Sequence, residues 1–272
     1  MVKMSFDYNL FSVKDKVVAV TGGAGGIGGG ICDALAAAGA KVAILDISQE
    51  AIDRKIAAFA DGNACVKGYA CNITEEESVR GAFCQLAEEL GTPYGLVNCA
   101  GISYVDYLSE MPIDRWQRVM DVNVRGTVLC TKVAGDYMSK AGGGRVVNIS
   151  SLAATHGKPK YTAYTPSKAA VNAFTFTIAA EWAHRNINVN AIAPVIVITD
   201  INRAQIEKDP EYFGQVLNAI PKGEACSAEL LAGTVIFLLS EASSYITGQC
   251  IGCDGGAENG DVAVIRPQPP EN

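Results

Sequence analysis

A tyrosine and a lysine four residues apart could carry out proton transfer in this chain. Tyr164 and Lys168 belong to the segment Tyr-Thr-Pro-Ser-Lys at the start of a helical pattern, and a four-residue step places both on one helix face. A neighbouring ammonium favours the phenolate, so the tyrosine could serve as a base near neutral pH. An exposed tyrosine beside a surface lysine is nevertheless common. The pair alone therefore does not define a catalytic site.

A glycine-rich turn after the first apolar run could bind a pyrophosphate. Residues 21–28 read Thr-Gly-Gly-Ala-Gly-Gly-Ile-Gly, and a helical pattern follows them. Glycines let backbone amides approach phosphate oxygens, and a helix N-terminus adds partial positive charge. Because glycines also form tight turns without a ligand, the next strand is informative. It ends at Asp46, 18 residues after Gly28, where a carboxylate can accept hydrogen bonds from the hydroxyls of an adenosine ribose.

The charge at this ribose position distinguishes the two nicotinamide dinucleotides. Asp46 would repel a 2′-phosphate, whereas a site for NADP normally supplies Arg or Lys there. Gly23, Ala24, Gly25 and Ile47 provide no such cation. The sequence therefore predicts NAD as the cofactor.

Strand-like and helical patterns alternate along the chain, which is typical of repeated βαβ units and a parallel sheet. The strand-like runs are almost continuously apolar, as strands covered on both faces must be. We predict strands over 16–21, 41–46, 65–71, 95–98, 144–150, 187–192 and 249–252. Helices are predicted over 27–38, stopped by Gly39, and over 75–90, with Thr74 as the N-cap. These elements predict an α/β fold of the Rossmann type, in which a doubly wound parallel sheet of seven strands carries helices on both faces.

The chain contains no low-complexity linker or internal repeat that would divide it, so we expect a single domain over residues 16–257. Residues 1–15 would form an N-terminal extension, and the proline-rich residues 258–272 a loose tail. Residues 195–225 break the strand and helix alternation and contain prolines and glycines. We predict that they form a mobile loop over the substrate.

Composition and charge exclude several classes of protein. The 272 residues include 22 basic and 29 acidic side chains, a net charge of −7, without a basic block, so we predict no nucleic-acid partner. The chain has neither a signal-peptide pattern nor a run of about 18 uncharged apolar residues, so we expect a cytoplasmic protein with no membrane partner. Cys250 and Cys253 have a spacing found in metal and redox motifs. In a strand their side chains point to opposite faces, and we predict no metal site.

Taken together, these motifs resemble the short-chain dehydrogenase/reductase family, NAD(P)-dependent oxidoreductases with one Rossmann-type domain. The resemblance extends over residues 16–256 and rests on residues 21–28, 98–101, Asn123, Ser151 and 164–168. It implies a reversible oxidation of an alcohol to a carbonyl by an Asn-Ser-Tyr-Lys tetrad. Tyr164 would exchange the substrate hydroxyl proton, and Ser151 would orient the reacting oxygen. Lys168 would bind the nicotinamide ribose and lower the tyrosine pKa, while Asn123 would hold a water in the proton relay.

The same resemblance implies a set of cofactor contacts. They are Gly22, Gly26, Ile27, Gly28, Asp46, Asn72, Ile73, Asn98, Ala100, Gly101, Tyr164, Lys168, Val197 and Thr199. Asn98 could equally be a strand cap. Two positions depart from the family pattern: Asn72 stands where an aspartate is frequent, and Val195 follows Pro194 where glycine is usual. The branched valine could narrow the nicotinamide pocket or shift the cofactor.

Three functional hypotheses remain open. Residues 180–183 and 188–194 are similar to members that oxidise polyols, sugars and sugar acids, which favours an NAD-dependent dehydrogenase. A 3-oxoacyl-thioester reductase, or another carbonyl reductase, would prefer NADPH and a basic cofactor loop. A catalytically silent dinucleotide-binding scaffold would need to have lost a tetrad residue, and none is lost. The candidate substrate contacts are Ser103, Tyr104, His156 and Asn202. The family resemblance further implies a homotetramer or homodimer.

Overall fold

A computed structural model describes residues 7–59, 64–199 and 210–259. Its seven strands are β1 Val17–Thr21, β2 Lys41–Asp46, β3 Val66–Ala70, β4 Gly95–Asn98, β5 Gly144–Ile149, β6 Ile187–Pro194 and β7 Cys250–Cys253. They form one parallel sheet in the order β3-β2-β1-β4-β5-β6-β7. The predicted strands 41–46 and 95–98 coincide with β2 and β4, and the others shift by one or two residues at their ends. The predicted sheet is confirmed.

Helices cover both faces of this sheet, as predicted. They are α1 Gly26–Ala37, α2 Gln49–Ala57, α3 Glu76–Glu89, α4 Ile113–Met120, α5 Thr127–Lys140, α6 Tyr164–Trp182, α7 Pro210–Asn218 and α8 Ala228–Leu239. Phe83 of α3 and Trp182 of α6 belong to one apolar layer, and Ile31 of α1 and Leu231 of α8 to the other. Because β1, β4 and β5 lie between these layers, they are buried throughout. This explains their continuous apolar runs. Among the helices of the described ranges, none combines the length and apolarity needed to cross a bilayer.

The two predicted helix boundaries have different outcomes. Helix α1 ends at Ala37, and Gly39 follows with a φ of +80°, so the predicted glycine stop is confirmed. The predicted N-cap of α3 is wrong, because Glu75 occupies the cap position and makes no side-chain cap hydrogen bond. The Thr74 hydroxyl instead donates to Asn72 Oδ1 at 2.8 Å. This local hydrogen bond stabilises the turn before the helix and competes with capping.

The cysteines of β7 point to opposite faces of the sheet, as predicted. Cys250 Sγ lies 3.5 Å from Asn172 Oδ1 on α6, whereas Cys253 Sγ lies 3.7 Å from Thr234 Oγ1 on α8. Within the part of the chain that the structure describes, no cluster of His, Cys, Asp or Glu side chains could hold a metal ion.

The strand order reverses between β1 and β4, and such a reversal opens a crevice at the carboxyl ends of the strands. Thr21 Oγ1 accepts hydrogen bonds from the amides of Cys99 and Ala100, each at 3.1 Å, and so ties the two strand ends together. Gly22 has a φ of +65°, and a Cβ there would lie 2.9 Å from Ala100 Cα. Only glycine fits this close approach.

An ion pair with a buried guanidinium lies near the amino ends of the strands, opposite the crevice. Arg145, near the amino end of β5, has a side chain only 3% exposed, and its Nη2 donates to Glu241 Oε2 at 3.2 Å. The Tyr94 hydroxyl donates to the other carboxylate oxygen of Glu241 at 2.9 Å. Since a buried guanidinium is tolerated only when it is paired, Glu241 stabilises the fold.

The Glu241→Ala variant should lower the free energy of unfolding by about 3 kcal/mol, because it leaves the buried guanidinium of Arg145 without a counter-ion. Glu89→Ala is the matched control: the side chains of Glu89 and Glu241 are 45% and 48% exposed, but Lys67, the partner of Glu89, is 47% exposed. An exposed pair contributes about 1 kcal/mol or less. Urea unfolding of both variants measures the difference, and equal losses would contradict this account.

Candidate active site

A cavity of 1240 Å³ occupies the crevice. Small-molecule sites typically measure about 300–1,000 Å³, so this cavity has room for a dinucleotide together with a substrate. Most of the predicted site residues line it: Gly22, Gly26, Ile27, Gly28, Asp46, Asn72, Ile73, Ala100, Gly101, Ser151, Tyr164, Lys168, Val197 and Thr199. Asn98 and Asn123 do not. The glycine turn and the reactive residues predicted from distant parts of the chain therefore share one cavity.

The glycine turn forms the amino end of α1. Gly25 is the N-cap residue, and α1 begins at Gly26, which has a φ of +55°. A Cβ on Gly28 would collide with the carbonyl oxygen of Gly22, whereas a Cβ on Gly25 would meet no atom within 4 Å. The turn is thus closely packed on its inner side and open toward the cavity, where helix amides and the helix dipole favour an anion. This geometry fits the pyrophosphate of a dinucleotide.

Asp46 is held at the carboxyl end of β2, beside the glycine turn. Its Oδ2 accepts a hydrogen bond from the Ala24 amide and its Oδ1 one from the Ser48 amide, both at 3.3 Å. The carboxylate therefore has a fixed orientation while it lines the cavity. The site fits an adenosine ribose whose hydroxyls donate to Asp46.

Sequence reasoning missed a cation at the same end of the cavity. Arg54 on α2 lines the cavity together with Ile47 and Ala51. Its Nη1 lies 3.1 Å from Glu50 Oε1 one helical turn earlier, and both side chains are exposed. The sequence does contain a signal for this residue. Arg54 lies on the helix that directly follows Asp46, and a helix that follows β2 packs against the sheet beside the carboxyl end of that strand. Glu50 offsets its charge, and among the described residues that line the cavity Asp46 is the one carboxylate.

Asn72 also lines the cavity, but its amide is already hydrogen-bonded within the protein. Its Nδ2 donates to Glu75 Oε1 at 2.7 Å, and its Oδ1 accepts from the amide of Thr74 at 3.2 Å. The neutral side chain that replaces the usual aspartate thus shapes the turn before α3. Its predicted contact with the adenine stays a prediction.

Tyr164 and Lys168 lie on one face of α6, which begins at Tyr164. Pro166 falls in the first helical turn, where its missing N–H costs no intrahelical hydrogen bond. Lys168 Nζ donates to the carbonyl of Ile149 at 2.7 Å and lies 5.7 Å from the centroid of the Tyr164 ring. Burial lowers the pKa of Lys168 to about 8, which still leaves an ammonium as the main form at pH 7.

Burial and a hydrogen bond act in opposite directions on the pKa of the Tyr164 phenol. Burial raises the pKa of Tyr164 above its usual value, and a hydrogen bond from Ser151 acts in the opposite direction. The Lys168 ammonium donates to the Ile149 carbonyl and lies 5.7 Å from the centroid of the Tyr164 ring, and its expected lowering of the tyrosine pKa stays a prediction. Ser151 thus favours the phenolate against the effect of burial.

Ser151 follows β5 and caps the short 3-10 helix Leu152–Ala154. Its Oγ accepts a hydrogen bond from the amide of Ala153 at 3.1 Å. Because the backbone amide occupies an acceptor site of Oγ, the hydroxyl proton is directed elsewhere, toward Tyr164 or a bound oxygen. The arrangement suits a residue that orients the reacting oxygen.

Asn123 lies in a π-helical turn, Asp121–Gly126, which joins α4 to α5. Its Oδ1 accepts from the amide of Ile102 at 2.8 Å, and its Nδ2 donates to the carbonyl of Ile102 and to Ser167 Oγ, each at 2.9 Å. The side chain thus clamps the strand end after β4 to α6, and Asn123 is a positioning residue in this geometry. Its expected role of holding a water stays a prediction.

Asn98 does not line the cavity, and its side chain is hydrogen-bonded within the protein, so its predicted cofactor contact stays a prediction. Its Nδ2 donates to Thr131 Oγ1 at 2.9 Å and to Asn148 Oδ1 at 2.8 Å. Asn148 in turn donates to Thr175 Oγ1 at 2.8 Å. These buried hydrogen bonds tie β4 and β5 to α5 and α6. Asn98 therefore fixes the positions of the strands whose following residues line the cavity.

The residues predicted to contact the substrate lie in different parts of the structure. Ser103 and His156 line the cavity, whereas Tyr104 does not and lies against Arg115, with its ring centroid 5.2 Å from the guanidinium carbon. Asn202 lies outside the described residues. Part of the loop predicted over residues 195–225 reaches the cavity, because Phe213 and Val216 of α7 line it. Sequence reasoning missed Arg118, Lys158 and Tyr161, which also line the cavity and belong to no motif.

Comparison with known proteins gives the family. A family model described as enoyl-(acyl carrier protein) reductase matches residues 22–258. D-threitol dehydrogenase of Mycolicibacterium smegmatis is 33% identical over 254 residues, which cover 93% of this chain and 96% of the relative. 3-oxoacyl-[acyl-carrier-protein] reductase of Thermotoga maritima is 36% identical over 244 residues, which cover 90% of this chain and 98% of the relative.

Solved structures show the same similarity in three dimensions. A gluconate 5-dehydrogenase of Burkholderia cenocepacia in complex with NADP and tartrate has a TM-score of 0.88 and 30% identity, covering 93% of this chain and 99% of that one. An NAD+-bound xylitol dehydrogenase has a TM-score of 0.85 and 31% identity, covering 90% and 99%. The chain belongs to the short-chain dehydrogenase/reductase family. It is an oxidoreductase with a dinucleotide-binding site and a small-molecule substrate.

Proposed function

We propose that the protein catalyses the reversible, NAD-dependent oxidation of a secondary alcohol to a ketone, with a polyol, sugar or sugar acid as the substrate. The observation that carries this proposal is the shared cavity, in which Ser151, Tyr164 and Lys168 face the same space as the glycine turn. The similar D-threitol and xylitol dehydrogenases support a polyhydroxylated substrate. The cytoplasmic location and the homotetramer or homodimer expected from the sequence stay predictions.

Different residues of the cavity would bind the cofactor, orient the substrate and transfer the proton. The amides of the glycine turn would hold the pyrophosphate, Asp46 the adenosine ribose and Lys168 the nicotinamide ribose. When bound, NAD supplies the acceptor for the hydride of the carbinol carbon. Ser151 donates a hydrogen bond to the substrate oxygen and orients it, and Tyr164 takes the hydroxyl proton and passes it to solvent. One hydride and one proton thus leave the alcohol, which balances the oxidation to the ketone.

A panel of C4 to C6 polyols and sugar acids with NAD tests this proposal. We expect formation of NADH, measured by its absorbance, with a subset of the panel that shares the configuration at the oxidised carbon, because a hydrogen-bonding pocket discriminates hydroxyl patterns strongly. The reverse reaction with the corresponding ketone should consume NADH. Absence of NAD reduction with every member would reject the proposal.

A 3-oxoacyl-thioester reductase is the second candidate, and the 36% identity to the Thermotoga maritima reductase favours it. The same preparation, tested with a 3-oxoacyl thioester and NADPH, decides between the two. A higher kcat/KM in that reaction than with any polyol or sugar acid would replace the proposed function by this one.

The cofactor preference gives a prediction at Asp46. We expect the wild-type protein to use NAD with a kcat/KM about 100-fold above that for NADP, because placing a 2′-phosphate beside a fixed carboxylate costs several kcal/mol. Asp46→Ser should raise use of NADP at least about tenfold, since the repelling carboxylate is removed while Arg54, although paired with Glu50, still lines this end of the cavity. Adding Arg54→Met to that variant should remove the gain. Tighter binding of NADPH than of NADH by the wild-type protein would contradict the assignment of NAD.

A further inference from the structure

Lys158 places an ammonium close to the reactive phenol. It lies in the connection between Ser151 and Tyr164 and lines the cavity. Its Nζ is 4.6 Å from the centroid of the Tyr161 ring, and Tyr161 packs edge-on against Tyr164 with 6.0 Å between ring centroids. A single aromatic ring therefore separates this cation from the group that takes the substrate proton.

Among the described residues that line the cavity, none is a counter-ion of Lys158. In the described ranges Lys158 forms no salt bridge, and Asp46 is the one acidic residue there that lines the cavity, at the ribose end beside the glycine turn. Of the other lining cations, Arg54 is paired with Glu50, and the Lys168 ammonium donates to a backbone carbonyl. Arg118 on α4 also lines the cavity, and within the described ranges it forms no salt bridge, so it adds to the charge of Lys158. The reactive end of the cavity thus carries positive charge that no described protein group neutralises.

The backbone fixes which lysine of this connection faces the cavity. Lys160 has a φ of +71°, and its carbonyl accepts a hydrogen bond from the Asp106 amide at 2.9 Å. An isolated β-bridge between Asp106 and Tyr161 continues this pairing. Lys160 does not line the cavity, and its Nζ lies 4.7 Å from the centroid of the Tyr107 ring. The chain thus holds two exposed lysines against tyrosine rings, and only Lys158 lines the cavity.

We infer that the substrate carries a carboxylate, that Lys158 binds it, and that the protein oxidises sugar acids in preference to neutral polyols. This inference rests on the proposed function and narrows its substrate class. A lone ammonium without a counter-ion forms a charge-assisted hydrogen bond with a carboxylate, which is about twice as strong as a neutral one. A carboxylate at Lys158 leaves the rest of the molecule to reach Ser151 and Tyr164 within the same cavity. A phosphate group shares the charge, and the test below separates the two.

Matched substrate pairs test the inference. Aldonates are compared with alditols of the same carbon number and configuration, with NAD in excess. We expect kcat/KM to be about 10- to 100-fold higher for the aldonates, the effect of one hydrogen bond to a charged group, and to differ mainly through KM. Lys158→Met should remove most of this ratio by raising the aldonate KM, and Lys158→Arg should retain it. Lys160→Met, which removes the same charge from a tyrosine ring outside the cavity, should leave the ratio unchanged.

The outcomes separate this inference from the proposed function. A wild-type ratio of one or below, or a ratio that Lys158→Met does not change, would overturn the carboxylate assignment while alditol oxidation sustains the dehydrogenase. Faster oxidation of alditol phosphates than of aldonates would also overturn it. NAD reduction by neither series would reject the dehydrogenase itself. A ratio that falls with added salt in the wild-type protein and not in Lys158→Met would support the charge pairing.

Discussion

The Tyr164→Phe variant should oxidise its alcohol with a kcat lowered by about 10²- to 10⁴-fold, the contribution of a positioned general base. The substitution removes only the phenol oxygen, so the ring retains its edge-on contact with Tyr161, and α6 keeps its first turn. The substrate hydroxyl then has no side chain to take its proton, while Ser151 still orients its oxygen. Steady-state rates at saturating NAD and alcohol measure the effect.

A matched control for Tyr164→Phe is Tyr161→Phe, which removes the same atom from a neighbouring ring of the same cavity. We expect it to cost less than about tenfold, the effect of one neutral hydrogen bond. Binding of NAD, followed by the fluorescence of NADH or by calorimetry, should change far less than kcat in Tyr164→Phe. Equal losses of kcat in the two variants would reject Tyr164 as the base.

The Gly28→Ala variant should weaken NAD binding by about 10- to 100-fold, equivalent to the ~1–3 kcal/mol that overpacking costs. The added Cβ collides with the carbonyl oxygen of Gly22, a backbone atom that no rotamer change can move. Gly22 is in turn packed against Ala100 at the point where β1 and β4 meet, so the strain spreads through the turn. Relief of the strain displaces the amides that face the cavity. A calorimetric titration with NAD measures the loss.

Gly29 offers a control one residue away, on the same helix and outside the cavity lining. A Cβ there meets the Lys55 side chain at 3.7 Å and the carbonyl carbon of Ala24 at 3.8 Å, both ordinary contact distances. Gly29→Ala should therefore stabilise the protein by about 0.5–1 kcal/mol, because alanine has the higher helix propensity, and should leave NAD affinity as in the wild-type protein. Loss of NAD binding in Gly29→Ala, or none in Gly28→Ala, would contradict the role of the turn.

Strands and helices could be predicted where burial produces a regular pattern of apolar residues along the sequence. The runs in β1 and β5 are apolar on both faces because both faces are buried, so a continuous pattern marks them. The end of β6 was missed by two residues, because Pro194 still pairs with Cys253 although proline normally ends a ladder. A proline at the last position of a strand can still pair with the neighbouring strand while it ends the ladder. The local sequence pattern does not show that Pro194 belongs to β6.

The reactive pair was predictable because residues four positions apart on a helix lie on the same face. Tyr164 and Lys168 share a face of α6 for that reason. Arg54 and Lys158 were not predictable in the same way, since they reach the cavity from a helix and a connection that carry no motif. Their approach follows from the path of the chain in three dimensions.

Two features of the site depend on what surrounds a side chain and do not follow from residue order. Asn98 belongs to a motif at the end of β4, but its side chain lies on the buried side of the sheet and bonds to Asn148 and Thr131. Burial of the phenol raises the pKa of Tyr164, and this effect opposes the lowering that was expected from Lys168. Residue order gives neither the direction of a strand side chain relative to a ligand nor the desolvation of a phenol.

The central claim is that the Tyr164 phenol and the hydride acceptor of a dinucleotide held at the glycine turn meet at one substrate carbon. A crystal structure of the protein with NAD and an oxidisable sugar acid or polyol tests it most directly. We predict that the nicotinamide C4 lies about 3–3.5 Å from the carbinol carbon, the distance of a reactive conformer, with the substrate hydroxyl between Ser151 and Tyr164. A nicotinamide ring bound away from Tyr164, or a pyrophosphate bound away from the turn that begins at Gly22, would contradict the account.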